Sequence, residues 1–234
     1  MTDFQVVVMA KAPIAGEVKT RLCPPLTYDQ AAVLAQAALF DTMAAVSASR
    51  ARRRVLALQG SPGIWLTPGF DVIPQRSGDF GSRLAGAIDD AWATFPVPIL
   101  VVGMDTPQLG GADLDSAARM LIDAPDQAGP SAVIGPAEDG GYWVIGVSRP
   151  VSSMFDGVPM STDGTMVAQR SRLQALGVSC ASTRLLRDVD QIEDAMAVAG
   201  LAPGTLFAAA LQPMMARITA LAGDGHEPTA ACAP

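Results

Sequence analysis

Short apolar runs alternate along the chain with longer stretches whose apolar residues recur every three or four positions. Residues 6–9 (VVVM), 55–59, 72–75, 98–103 (PILVVG), 131–135 and 178–185 read as strands. Helical periodicity marks 28–47, a stretch running from the 75–84 segment to about 95, then 112–123, 163–176, 190–199 and 205–221. Pro213 interrupts the last of these. Thr27 and Gln30 have the spacing of a capping box, which sets the start of the first helix. Residues 136–146 (PAEDGGYWVIG) read as a glycine turn followed by a strand, while 60–69 and 151–161 carry no period and are expected to be irregular. Alternating strands and helices predict a mostly parallel α/β sheet with helices on both faces. No repeat or linker divides the chain, so a single domain is expected over 1–222, followed by a disordered tail over 223–234.

The bulk numbers narrow the partners. The 234 residues are half apolar and 17% charged, enough to bury a sizeable core, with a net charge of −7. An acidic chain of this kind is not expected to bind nucleic acid or an anionic membrane. Cys23, Cys180 and Cys232 are odd in number, far apart and without metal-ligand spacing, which fits a reducing cytoplasm. The single histidine, His226, lies in the Gly/Pro/Ala-rich tail, so a histidine-based triad or zinc site is not expected. The opening residues pass straight into a strand, and no uninterrupted apolar run reaches ~18 residues, so neither a signal peptide nor a membrane span is expected.

Positive charge is placed unevenly. Lys11 and Lys19 are the chain's two lysines, and every other basic residue apart from the tail histidine is arginine. Both lysines fall in the loop after the first strand, together with Ala12, Gly16 and Arg21. Strand, cationic loop, helix is the order that receives phosphates in open α/β sheets. Lys19 supplies a compact charge, Arg21 a two-pronged donor, and Gly16 allows close backbone approach. A solvated loop fits the same residues. Gln75, Gly78, Asp79 and Arg83 follow another strand and suit a nucleobase, with Asp79 as a helix cap being the alternative.

Carboxylates follow three further strands. Asp105 comes directly after PILVVG, at the edge where such sheets bind ligands, and suits Mg²⁺ shared with phosphates or a turn before Pro107. Asp188 and Asp190 lie in an Asp-Val-Asp segment before a helix, where Asp190 serves equally as a second metal ligand or a cap. Glu138, Asp139, Gly140 and Gly141 form an edge loop suited to sugar or acceptor hydroxyls, or the turn of a hairpin.

With these segments in order, the chain resembles a known group. KTRL at 19–22 followed by Pro25 is similar to the signature loop of sugar-nucleotide pyrophosphorylases. KAPIAGEVKTRL, QRSGDFGSRL, GMDTPQL, GPAEDGGYWVIG and DVD, in that order over residues 4–200, resemble a bacterial glycosyltransferase-A-like family of nucleotide-diphospho-sugar transferases. The resemblance implies a Rossmann-like fold, a cytoplasmic transferase, and a nucleotide or nucleotide-sugar partner with a small-molecule acceptor. It implies Mg²⁺ or Mn²⁺ held by Asp105 and Asp190, with Lys19, Arg21 and Asp105 catalytic. Lys11, Ala12, Gly16, Lys19, Arg21, Gln75, Gly78, Asp79 and Arg83 would hold the nucleotide, and Glu138 to Gly141 the sugar or acceptor. The family's usual Asp-x-Asp metal motif is missing at Asp105, which leaves room for nucleotidyl transfer to a phosphate ester with pyrophosphate release. A nucleotide-binding module without turnover is the third reading.

Overall fold

The computed structural model describes residues 3–123 and 131–223. Its centre is a seven-stranded sheet in the order β3-β2-β1-β4-β6-β5-β7. The strands are β1 (Gln5–Lys11), β2 (Arg53–Gln59), β3 (Asp71–Pro74), β4 (Ile99–Val102), β5 (Ser131–Pro136), β6 (Tyr142–Val147) and β7 (Ser179–Ser182). Their neighbours are parallel except for β6, which runs antiparallel to both β4 and β5. The sheet is therefore mostly parallel, as expected, and 136–146 closes as a hairpin.

Two topological facts position everything that follows. The chain leaves β1 on one side to build β2 and β3, then returns to place β4 on the other side of β1. The carboxyl ends of β1 and β4 flank that reversal, where open α/β sheets bind ligands. Because β6 is reversed, its first residues, Tyr142 and Trp143, emerge at this same edge.

Helices cover both faces. α1 (Tyr28–Ala48) and α3 (Gly111–Ile122) pack on one face against Val6, Val8, Leu56, Leu100 and Val102. α2 (Phe80–Thr94) and α4 (Thr165–Ala175) cover the opposite face over Val7, Met9, Val55, Val101 and Ile145. The central strands are thus buried on both sides, which is why they read as unbroken apolar runs. By length and composition α1 could cross a membrane. Its inner face instead meets the sheet, and its outer face meets α5 (Ile192–Leu201) and α6 (Leu206–Gly223) through Leu34, Ala38, Val198, Phe207 and Leu211. Burial on two sides accounts for its apolar character all round.

The Thr27 capping box forms: the Thr27 hydroxyl accepts from the Gln30 amide at 3.2 Å, and the Gln30 side chain accepts from the Thr27 amide at 2.8 Å. Thr27→Ala is expected to lower stability by ~1 kcal/mol, a shift of roughly 2–4 °C in Tm by calorimetry. Two elements differ from their sequence reading. α6 runs unbroken through Pro213, because its apolar face (Phe207, Leu211, Met214, Met215, Ile218) is held in the third cluster and offsets the missing backbone donor. β7 is four residues long, not eight, being an edge strand paired on one side. The expected tail lies outside the described residues from 224 onward.

Candidate functional site

The loop after β1 is built to carry charge inward. Lys19 takes up a left-handed backbone (φ 50°) at the head of a short 3-10 turn, Thr20–Leu22. That conformation sends its side chain, only 11% exposed, across to the Asp105 carboxylate and the Val189 carbonyl. Val189 in turn donates its amide to the Asp105 carbonyl at 2.9 Å. Three segments far apart in sequence, the loop, the end of β4 and the Asp-Val-Asp stretch, are thereby laced together. Arg21 is 72% exposed and pairs with Asp190 at 2.6 Å. Lys11, expected in the loop, is the last residue of β1 and pairs with Glu17 of the loop at 3.3 Å.

These groups line one cleft. Lys11, Lys19, Arg21, Arg83, Gln75, Asp105 and Asp190 surround a volume of about 410 Å³. Both amide hydrogens of Gln75 are committed, to the Ala10 and Ala57 carbonyls at 2.9 Å each, and its oxygen accepts from Arg83 at 3.1 Å. Gln75 therefore braces the floor between β1, β2 and α2. Arg83 also donates to Gln59 at 2.8 Å and lies 5.2 Å from the centre of the Phe80 ring. Ala12 donates its amide to the Gln59 carbonyl at 2.8 Å, closing the rim. Gly16 (φ 78°) and Gly78 (φ 120°) hold backbone that disfavours a side chain. Asp79 caps α2, accepting from the Ser82 amide at 2.7 Å, and its hydrogen bonds to Ser82 hold its carboxyl below the usual range.

A second, mostly apolar cavity of about 160 Å³ adjoins the cleft and shares Met9, Phe80, Gly103 and Asp105 with it. Tyr142, Trp143, Leu84, Ile145 and Met160 form much of its wall, while Asp105, Asp139 and Asp188 bring three carboxylates to it. Burial pushes Asp188 up to about 6, helped by the charges of Asp139 and Asp105 and opposed by Lys19. Asp139 accepts from the Gly141 amide at 2.8 Å. The other two members of the turn face elsewhere. Glu138 pairs with Arg187 at 2.6 Å. Gly140 (φ 88°) lies flat against the backbone of Asp163 and accepts from the Met166 amide at 2.9 Å.

The structure thus gathers Lys11, Lys19, Arg21, Gln75, Arg83, Asp105 and Asp190 in the cleft, and Asp105, Asp139 and Gly141 at the cavity. Sequence reasoning passed over Tyr142 and Thr106 as site residues and ranked Asp188 below Asp190. The available signal was the apolar Val189 between the two aspartates, which the structure buries completely: a core residue pins the segment, so its charged neighbours must seek separate outlets.

Residues 30–162 match the family described as "Uncharacterized protein conserved in bacteria (DUF2064)". The chain belongs to this family. No curated protein matches it. Among solved structures, it is similar to a protein from Desulfovibrio desulfuricans G20, provisionally named a nucleotide-diphospho-sugar transferase, with 22% identity, a TM-score of 0.81, and 94% of this chain and 98% of that one covered. A match to 2-C-methyl-D-erythritol 4-phosphate cytidylyltransferase from Thermus thermophilus has 18% identity and a TM-score of 0.48, over 86% and 99% of the two chains. The Desulfovibrio likeness spans both chains almost end to end, so this DUF2064 member shares that protein's fold.

Proposed function

We propose that the protein is a glycosyltransferase that binds a nucleotide-sugar in the cationic cleft and passes the sugar to a small acceptor in the adjoining cavity. One observation carries this reading: two cavities of opposite character, one lined by four cations and one mostly apolar, share Asp105 as a common wall. A donor diphosphate suits the first and an acceptor the second, and the bond to be exchanged would lie between them.

In the transfer, an acceptor hydroxyl oxygen forms a bond to the anomeric carbon of the sugar as the bond from that carbon to the diphosphate breaks. The nucleoside diphosphate leaves, and the hydroxyl proton passes to a base or to solvent. Lys19, Arg21 and Lys11 face the oxygens on which negative charge grows. Arg83, steadied by Gln75 and Gln59, closes the nucleoside side. Asp139 and Gly141 border the acceptor, and Glu138 and Gly140 hold that turn in shape.

A divalent cation fits the residues present. Asp105 and Asp190 offer hard oxygen donors in the cleft, and Asp188 approaches Asp105 from the cavity. Among the described residues no three acidic, histidine or cysteine side chains form a complete ligand group, so phosphate oxygens would supply the remaining ligands, the usual habit of Mg²⁺. Bound there, Mg²⁺ or Mn²⁺ would act as a Lewis acid on the diphosphate. Arg21, exposed and paired with Asp190 in the cleft, is placed to exchange that carboxylate for a phosphate.

Nucleotidyl transfer is favoured by the four cations in the cleft, which also suit a triphosphate. The deciding experiment is a thermal-shift panel of nucleoside triphosphates and nucleotide-sugars with Mg²⁺, followed by product analysis. A ligand at ~100 times its Kd adds ~2.7 kcal/mol of stability. Nucleoside diphosphate release is the expected result, pyrophosphate release would establish the second reading, and no shift with any nucleotide would sink both. The same arrangement is proposed to work in the cytoplasm, without nucleic acid or membrane.

A further inference from the structure

The apolar cavity has features that specify what enters it. Among the described residues no lysine, arginine or histidine lines it, although the adjoining cleft carries four cations. The charged groups that do line it are carboxylates: Asp105, Asp139 and Asp188. Asp105 is already paired with Lys19, so Asp139 and Asp188 are the carboxylates left facing an acceptor; a phosphate or carboxylate there would meet no charge-matched donor in the wall, whereas such groups are ordinarily held by arginine or lysine. The volume of about 160 Å³ is close to that of an apolar protein cavity of ~150 Å³ that accepts benzene. A six-membered ring fits, and a nucleotide does not.

Besides the exposed Ser161, two hydroxyl residues set deeper in the lining, Tyr142 and Thr106, lack a strong partner among the described residues. The Tyr142 hydroxyl reaches the thioether of Met160, at 3.7 Å, and sulfur is a weak acceptor. Burial raises the Tyr142 phenol, so it stays protonated and available as a donor. Thr106 is 2% exposed, lines the same cavity, and its hydroxyl has no hydrogen-bond partner among the described residues. That hydroxyl is closed off from the cavity, so the Tyr142 hydroxyl is the donor the wall presents to a ligand.

We infer that this cavity selects a small, uncharged, ring-sized alcohol, with the Tyr142 hydroxyl as the group that determines specificity. This rests on the acceptor role proposed above for the cavity. It also separates the two transfer chemistries, because a phosphate ester, the acceptor of nucleotidyl transfer, is the class the wall excludes.

The test uses the full chain and two probes of equal ring size, cyclohexanol and cyclohexyl phosphate. Binding is read from tryptophan fluorescence, since Trp143 is part of the wall. Cyclohexanol is expected to bind at least tenfold more tightly than cyclohexyl phosphate. Tyr142→Phe, which removes only the hydroxyl, should weaken cyclohexanol about tenfold while leaving nucleotide affinity unchanged. Met160→Lys, which places a cation at the partly exposed rim, should reverse the preference toward cyclohexyl phosphate. Overturning results are no response to cyclohexanol, equal or tighter binding of the phosphate by the parent protein, or parent-like cyclohexanol binding by Tyr142→Phe. Nucleotide affinity measured in the same preparations keeps the two proposals apart: its absence alone would remove the transferase reading without touching the selectivity of the cavity.

Discussion

Asp105→Ala is expected to abolish Mg²⁺-dependent nucleotide binding and to reduce kcat/KM by at least ~100-fold, the scale for losing one electrostatic partner of the reacting centre. Asp105 lines both the cleft and the cavity, so one substitution reaches donor and acceptor together. It also strands Lys19, whose side chain is 11% exposed and has the Asp105 carboxylate as its ion-pair partner. Breaking a fully buried pair costs ~3–5 kcal/mol. Asp105 is 48% exposed, however, and solvent screening brings the expected stability loss down to ~1–2 kcal/mol. The effect on activity should therefore far exceed the effect on Tm. Lys19→Ala should cost ~1.5–3 kcal/mol of nucleotide or transition-state binding, the range for a hydrogen bond to a charged group. Lys19→Arg should fail to restore it, because a planar fork cannot meet Asp105 and the Val189 carbonyl from one point. Nucleotide affinity and single-turnover rate at saturating Mg²⁺, beside the melting curve, measure all three variants. If Asp105→Ala binds nucleotide as the parent does, Asp105 is a turn residue and the metal proposal goes with it.

Gly140→Ala is expected to be the most destabilising single-methyl addition among the described glycines. Gly140 has φ 88°, and an added Cβ would overlap the carbonyl of Asp163. Left-handed strain alone costs ~1–3 kcal/mol for a non-glycine residue. Here the 160–165 segment must also move, disturbing the bonds from Met166 to Gly140 and from Thr165 to the Pro159 carbonyl. A total on the order of 3 kcal/mol or more follows, lowering Tm by roughly 6–12 °C. Gly16→Ala is the control. Its φ of 78° imposes similar strain, but nothing lies within 4 Å of the added carbon. A Tm drop no larger at Gly140 than at Gly16 would show that the turn and the 160–165 segment do not support each other.

The fold was legible because its signals are local. An unbroken VVVM or ILVV run can be buried on both faces only in a central strand, and the Thr27–Gln30 spacing satisfies its own helix end. Local signals also located the edge, since Lys11, Lys19 and Asp105 each follow a strand end. The pairings were not legible. Lys19 meets Val189 across 170 positions, Arg21 meets Asp190 across 169, and Glu138 meets Arg187 across 49. Residue type permits each of these charges many partners, and only the tertiary placement selects one. Gln75 shows the same limit: an amide that suits a base edge equally suits main-chain carbonyls, and it is the placement of β1 beside β2 that brings the Ala10 and Ala57 carbonyls within its reach.

The third apolar cluster sets how much of the chain must be present for any of this chemistry. Leu22 and Leu26 from the cationic loop are buried there with Val189 from the Asp-Val-Asp segment, and α1, α5 and α6 close around them. The segment that matches the family, 30–162, contains neither that loop nor α5 and α6, and it omits β1 from the middle of the sheet. A fragment trimmed to that match would bare the outer side of α1 to water and leave β2 and β4 facing an empty lane. The portion by which kinship is detected is thus shorter than the portion that packs together, and Lys11, Lys19 and Arg21, proposed above to face a diphosphate, are anchored outside it.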